Sequence, residues 1–334
     1  MPETEMQHEN QDEFKAGSAL AQSTASTGHK LPSTMWIVGI GVLIAVLLPF
    51  WLSGYTLGIL AIAYYYGVYA MSWDLVFGYA GDINFGPTVQ IGLSAYVTGI
   101  MVNHGFPIWV SIIAGIVMAL VAGILITIPA LKLRGPYFGL MTLCAALLLK
   151  NFIVIFSDVT GGELGLLLQD ILVTGAVENY WIALACMLGS GAVIFAYSHS
   201  SPGLILEAIG QDPTEAQALG FSIVKHKLFA FCISAVFSGL AGALMALYMG
   251  IASLDTAIDL SIVVTIIIAA LVGGRRTIIG GAIGAILVIV AAELLRPIGE
   301  LNEFVVALFA LVVLVISPDG IYGYYLNMRS RHGN

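Results

Sequence analysis

The chain has 334 residues, of which 59% are hydrophobic and only 10% charged, with a formal net charge of −8. Soluble domains carry about 25% charged residues, so a soluble fold is excluded, and the relevant unit becomes the apolar run of about 20 residues that crosses roughly 30 Å of hydrocarbon. The absence of a basic patch with interleaved aromatics argues against a nucleic-acid partner.

Residues 1–34 form a polar stretch rich in Ser, Thr, Gln and Glu, with Glu3, Glu5, Glu9, Asp12 and Glu13 near its start. It lacks the basic start and apolar core of a secretory signal and reads as a disordered, acidic, cytoplasmic tail. Apolar runs follow at about 36–53, 56–76, 86–103, 107–131, 137–157, 180–197, 228–251, 259–273, 277–295 and 303–317. They are continuous, not alternating, so helices and not a barrel are expected. The fold class is therefore all-α: a polytopic bundle of about ten transmembrane or re-entrant helices, occupying residues 35–322, followed by a cytoplasmic tail over 323–334. The short run at 259–273 suits either a half-helix or a re-entrant segment.

Lysine and arginine favour cytoplasmic loops. With the N-terminus inside, ten of the twelve basic residues fall inside and only Lys150 and Arg296 fall outside. Both termini are thus expected in the cytoplasm. Small residues recur every four positions at Gly115, Ala119 and Gly123, at Ala235, Gly239 and Ala243, and at Gly280 and Gly284. That spacing allows helices in a membrane to pack closely.

The cysteines Cys144, Cys186 and Cys232 lie in apolar runs and suggest neither a disulfide framework nor a metal site. The six histidines are scattered, no catalytic motif is present, and the glycine-rich Gly273-Gly274-Arg275-Arg276-Thr277 lacks the lysine arrangement of a phosphate-binding loop. No catalytic residue, metal ligand or cofactor is expected in this chain. Any ATP and magnesium would be bound by other subunits.

The long internal loop 198–227 is the most informative soluble feature. Asp212 can cap a short helix whose first turn holds Pro213 and Glu215, and Gly220 can end it. Two readings remain open on these residues alone: an ordinary interfacial helix, or a lever that docks into a cytoplasmic partner. Polar groups at membrane depth form a second candidate set. Asp74 and Asp82 flank Gly78 and Gly81, where a helix can break. Asn84, Gln90 and Thr160 join them as a candidate translocation path. Asp74 and Asp82 could equally cap two helices at the inner interface. Lys150 is expected to snorkel from the outer end of its span, and Glu293 with Arg296 to form an interfacial pair.

Several segments in shared order then resemble the branched-chain amino acid permease family of ABC importers. In the loop these are Ser201-Pro202-Gly203, Glu207-Ala208-Ile209 and Glu215-Ala216-Gln217-Ala218-Leu219-Gly220-Phe221. Downstream come Lys227 to Phe231, Ser238 to Leu244, Gly273 to Thr277 and Gly280 to Ala285; upstream, Gly78 to Gly81, Leu131 to Phe138 and Thr160 to Gly165. The resemblance spans about 57–322 and is closest to the second of the family's two permease subunits. It departs from the family at Asp82, Asn84, Pro87 and Gln90, and at Glu207 and Gly210 in the loop.

The resemblance implies a permease subunit translocating small branched-chain amino acids across a bacterial or archaeal inner membrane by alternating access. Urea, short amides or small carboxylates are the alternative cargo, and an ion-coupled secondary transporter is the rival class. The implied partners are a homologous permease subunit, two cytoplasmic ATPase subunits and an extracytoplasmic substrate-binding protein. Gly203, Glu207, Ala208, Asp212, Glu215, Ala216, Leu219 and Gly220 would carry the coupling to the ATPases.

Overall fold

The computed structural model describes residues 32–131, 133, 136–298, 308 and 320, and in residues 32–38 the backbone alone. The chain divides after Trp51 into two units. The first holds helix α1 (Pro32–Leu47), continued by a 3-10 turn over Leu48–Phe50.

The second unit is a bundle of helices: α2 (Gly54–Asp74), α3 (Pro87–Asn103), α4 (Ile108–Ala130), α5 (Pro136–Ile155) and α6 (Ala176–Ser198), then the short pair α7 (Ser201–Gln211) and α8 (Pro213–Ala218). Helices α9 (Ile223–Met249), α10 (Leu260–Gly273) and α11 (Ile278–Leu295) complete the described bundle. Among the described residues six segments are long and apolar enough to cross a membrane: α4, α5, α6, α9, Leu254–Gly273 and α11. The chain is an all-α, multi-pass membrane protein. The expected run at 303–317 lies outside the described residues, except for Leu308.

Helix α2 is not among those six, although 14 of its 21 residues are buried, including Tyr64, Tyr65 and Tyr69. A helix surrounded by protein need not match lipid, so tyrosine can replace aliphatic residues where its hydroxyl finds a partner. The Tyr64 and Tyr180 hydroxyls, on α2 and α6, lie 2.8 Å apart.

The small-residue repeats form the seams of the bundle. A Cβ built on Gly239 of α9 would lie 2.6 Å from the Ala119 Cβ of α4, and one on Gly123 would lie 2.9 Å from the Ala235 Cβ. Ser94 of α3 closes the same seam by donating its hydroxyl to the Gly239 carbonyl at 2.6 Å. Between α10 and α11 the approach is closer still. Added at Gly284, a Cβ would collide with the Ala269 carbonyl oxygen and lie 2.7 Å from the Gly273 nitrogen.

Two ends of the bundle are defined by what crosses them. At one, here the junction end, lie the break after α2, the pair α7–α8, the start of α9 and the turn between α10 and α11. At the opposite end β1 (Leu166–Leu167) pairs antiparallel with β2 (Ile251–Ala252). Asn103, at the end of α3, donates its side-chain amide to the Leu167 carbonyl at 2.8 Å and accepts from the Gln169 backbone at 2.9 Å. The 156–175 connection is thereby fastened across the helix ends. Segment 254–273 contains a helical turn, Leu254–Ala257, before α10 begins at Leu260.

Replacing Gly284 by valine forces α10 and α11 apart, and overpacking of this kind costs about 1–3 kcal/mol. The purified protein in detergent should unfold at a lower temperature than the parent. An unchanged midpoint would show that this seam is looser than its geometry.

Candidate functional site

The site grows out of the way α2 ends. After Asp74 the helix widens into a π turn over Leu75–Tyr79, and the chain reverses at Gly81, whose φ is +78°. A helix end buried in protein leaves carbonyl and amide groups that other elements have to satisfy. Several do so. The Trp73 indole donates to the Asn84 carbonyl at 2.7 Å. The Asn84 side chain accepts from the Gly86 amide at 2.8 Å, and the Thr142 hydroxyl of α5 accepts from the Phe85 amide at 3.0 Å.

Arg276 is the hub. Its backbone amide donates to the Asp74 carboxylate at 3.1 Å, its Nε donates to the Gly78 carbonyl at 3.0 Å, and its own carbonyl accepts from the Tyr79 hydroxyl at 3.1 Å. Its guanidinium also lies 3.9 Å from Glu207 of α7. Arg276 has a positive φ of 61°, a conformation that costs a non-glycine residue energy unless its surroundings hold it. The neighbouring Arg275 stacks over the Phe77 ring at 4.7 Å. One turn therefore joins α10, α11, the break after α2, and α7.

Helix α7 buries Gly203, Leu206 and Ile209, spaced one helical turn apart, with Gly203 packed against the end of α6 at Tyr197 and Ser198. Gly210 crosses the chain after the π turn so closely that a Cβ there would collide with the Tyr79 carbonyl oxygen, and one on Gly81 would lie 3.1 Å from the Gly210 oxygen. Only a glycine pair permits this backbone-on-backbone contact. Asp212 then caps α8 by accepting from the Thr214 and Glu215 amides at 2.7 and 3.0 Å. The segment read as one short helix is thus two helices, with α6 continuing to Ser198 and α9 beginning at Ile223, so that Lys227 belongs to a helix.

The predicted loop residues separate into two faces. Gly203 and Ala216 are buried toward the bundle and Glu207 is half-buried in its ion pair. Ala208, Asp212, Glu215, Leu219 and Gly220 are exposed, Leu219 at 76%. The polar groups picked out at membrane depth divide differently. Asp74, Asp82, Asn84 and Gln90 gather in and just beyond the break at the junction end. Thr160 lies at the opposite end, where its hydroxyl donates to the Ile153 carbonyl at 2.7 Å.

Asp82 accepts from the Lys227 ammonium of α9, 2.7 Å away, with both side chains largely buried. Lys150, expected to snorkel alone, instead reaches Asp259 at 3.3 Å, because the turn before α10 brings that carboxylate beside α5. Glu293 and Arg296 do pair, at 3.1 Å, and the Tyr55 hydroxyl donates to the same carboxylate. The Arg276 hub and the Asp82–Lys227 pair have no local signature in the sequence, since their partners lie between 69 and 202 residues away.

Neutralising Lys227 alone, as in Lys227→Met, strands the Asp82 carboxylate in the protein interior. Breaking one side of a buried pair costs about 3–5 kcal/mol, whereas replacing both partners with apolar residues is often close to neutral. Thermal unfolding of Lys227→Met, Asp82→Leu and the double variant should show two unstable singles and a recovered double. Additive losses would mean the pair does not act as a unit.

The geometry can be set beside known proteins. No solved structure matches. A family described as "Branched-chain amino acid transport system / permease component" matches residues 55–317. The high-affinity branched-chain amino acid transport system permease protein LivM of Escherichia coli (strain K12) is 28% identical over 89% of this chain and 76% of its own length. The LivH permease protein of the same organism is 25% identical over 77% of this chain and 91% of its own length. The Autoinducer 2 import system permease protein LsrC of Yersinia pseudotuberculosis is 29% identical over 67% of this chain and 66% of its own length. With matching residues across nearly the whole bundle, the chain belongs to the family of branched-chain amino acid transport system permease components.

Proposed function

We propose that the chain is one of two membrane-spanning subunits of an importer for branched-chain amino acids, powered by ATP hydrolysis on separate cytoplasmic chains. The observation that carries this reading is the two-faced α7–α8 segment. Its inner face is clamped to the break after α2 and to Arg276, while Ala208, Asp212, Glu215 and Leu219 stand open to a partner. A push on that outer face reaches α2, α10 and α11 through groups already in contact.

The charge distribution supports an orientation with the junction end in the cytoplasm. Among the described residues Lys225, Lys227, Arg275 and Arg276 lie there, against Lys150 and Arg296 toward the opposite end. About ten spans with both termini inside, in a bacterial or archaeal inner membrane, complete the reading. A second, homologous permease would pair with this one, and an external binding protein would deliver cargo to the opposite end. The ion pair of Asp82 with Lys227 favours Asp82 as part of the junction over a proton or sodium site of a secondary carrier.

The test is uptake of labelled leucine into proteoliposomes that contain the assembled complex. Transport should need ATP on the side of the junction end, and Leu219→Asp should reduce both ATPase capture and uptake at least tenfold while leaving the bundle's melting midpoint unchanged. Uptake driven by a proton or sodium gradient without ATP would refute the reading.

A further inference from the structure

Lys150 and Asp259 place opposite charges inside two apolar spans, Pro136–Ile155 and Leu254–Gly273, with Nζ 3.3 Å from Oδ2. Neither is sealed in protein: the side chains keep 43% and 34% of their exposure. Ionised groups at that depth are costly against lipid and occur where protein or a water-filled recess solvates them.

Helix lengths place both charges at the same level. Helix α10 has 14 residues, about 21 Å of rise, against roughly 30 Å of hydrocarbon. Its last residue, Gly273, adjoins the Arg275–Arg276 turn at the junction end. Its first turn, which Asp259 caps by accepting from the Ser261 amide at 3.0 Å, therefore stops about 9 Å short of the opposite boundary. Helix α5 has 20 residues and Lys150 stands five before its end, about 8 Å below that boundary.

Polar residues continue the exposed surface around the pair. Asn151 and Ser261 are exposed and Thr265, one turn along α10, is half-buried. Leu147 and Val264 lie one turn deeper on the same two helices and are 49% and 44% exposed. A charged rim above an apolar floor is a surface for a molecule bearing both signs at one end and a hydrocarbon at the other.

We propose that this exposed surface receives the amino-acid zwitterion on its way in from the outer side, the α-carboxylate against Lys150, the α-ammonium against Asp259, and the branched side chain toward Leu147 and Val264. This rests on the amino-acid cargo proposed above and assigns the residues that read it. Between passages the two protein charges neutralise each other; the substrate slips between them and offers each a partner of opposite sign. Urea and simple amides lack both charges and gain nothing here.

The experiment uses the assembled importer in proteoliposomes with ATP and saturating binding protein, comparing wild type with Lys150→Gln, Asp259→Asn and the double variant. Asparagine preserves helix capping, and the two amides of the double variant can still hydrogen-bond to each other. Leucine uptake should fall at least tenfold in all three, with complex assembly and ATP hydrolysis within twofold of wild type. Wild-type uptake by the double variant would show a plain tether and overturn the proposal, as would failure of the single variants to assemble, which would make the pair a structural clamp. If the wild-type importer takes up no leucine, the cargo reading itself falls and the assignment falls with it.

Discussion

The fold depends on one constraint: where a helix ends inside a membrane protein, every backbone group it releases has to be met by protein. Helix α2, buried over two thirds of its length, ends at Asp74 before the chain turns back at Gly81. Trp73, Asn84, Thr142 and Arg276 each supply part of what the break requires. The elements that contribute these groups are thereby fixed against one another. The Arg276 turn between α10 and α11 and the entry to α3 take their places from the same set of hydrogen bonds.

That constraint also explains the position of α7 and α8. Leu206 and Ile209 are fully buried, and burying such a side chain contributes about 1.5–3 kcal/mol relative to exposing it. The glycine crossing at Gly81 and Gly210 then sets how deeply α7 can sit, and the Asp82–Lys227 pair ties the loop beyond the break to the start of α9. The segment that leaves the bundle is consequently held at the place where the buried helix α2 is discontinuous.

Much of the architecture could be read from the order of residues, and the reasons are local. The apolar runs at 107–131, 137–157, 180–197 and 277–295 became α4, α5, α6 and α11 with shifts of a few residues, because run length against bilayer thickness is a one-dimensional property. Asp212 and Pro213 foretold the start of α8 for the same reason: a cap acts within three residues. Small residues at Gly115, Ala119, Gly123 and Gly239 foretold close packing, though not that α4 and α9 would meet there. Pairings across the bundle had no such signature. Arg276 looked like one more cytoplasmic base in a glycine turn, and nothing near Lys150 pointed to Asp259, 109 residues later.

The seams at Gly239 and Gly284 have a mechanical consequence. Where a helix backbone meets another backbone, as at Gly284, or only an alanine methyl, as at Gly239, there is no layer of side chains whose rotamers could absorb a small displacement. Such contacts transmit load as a bearing surface does, and α10 with α11 on one side, α3, α4 and α9 on the other, behave as stiff blocks. A displacement entering at α7 is then handed on undiminished to the helices that meet at the 75–86 crossing, whose own hydrogen bonds leave it little slack.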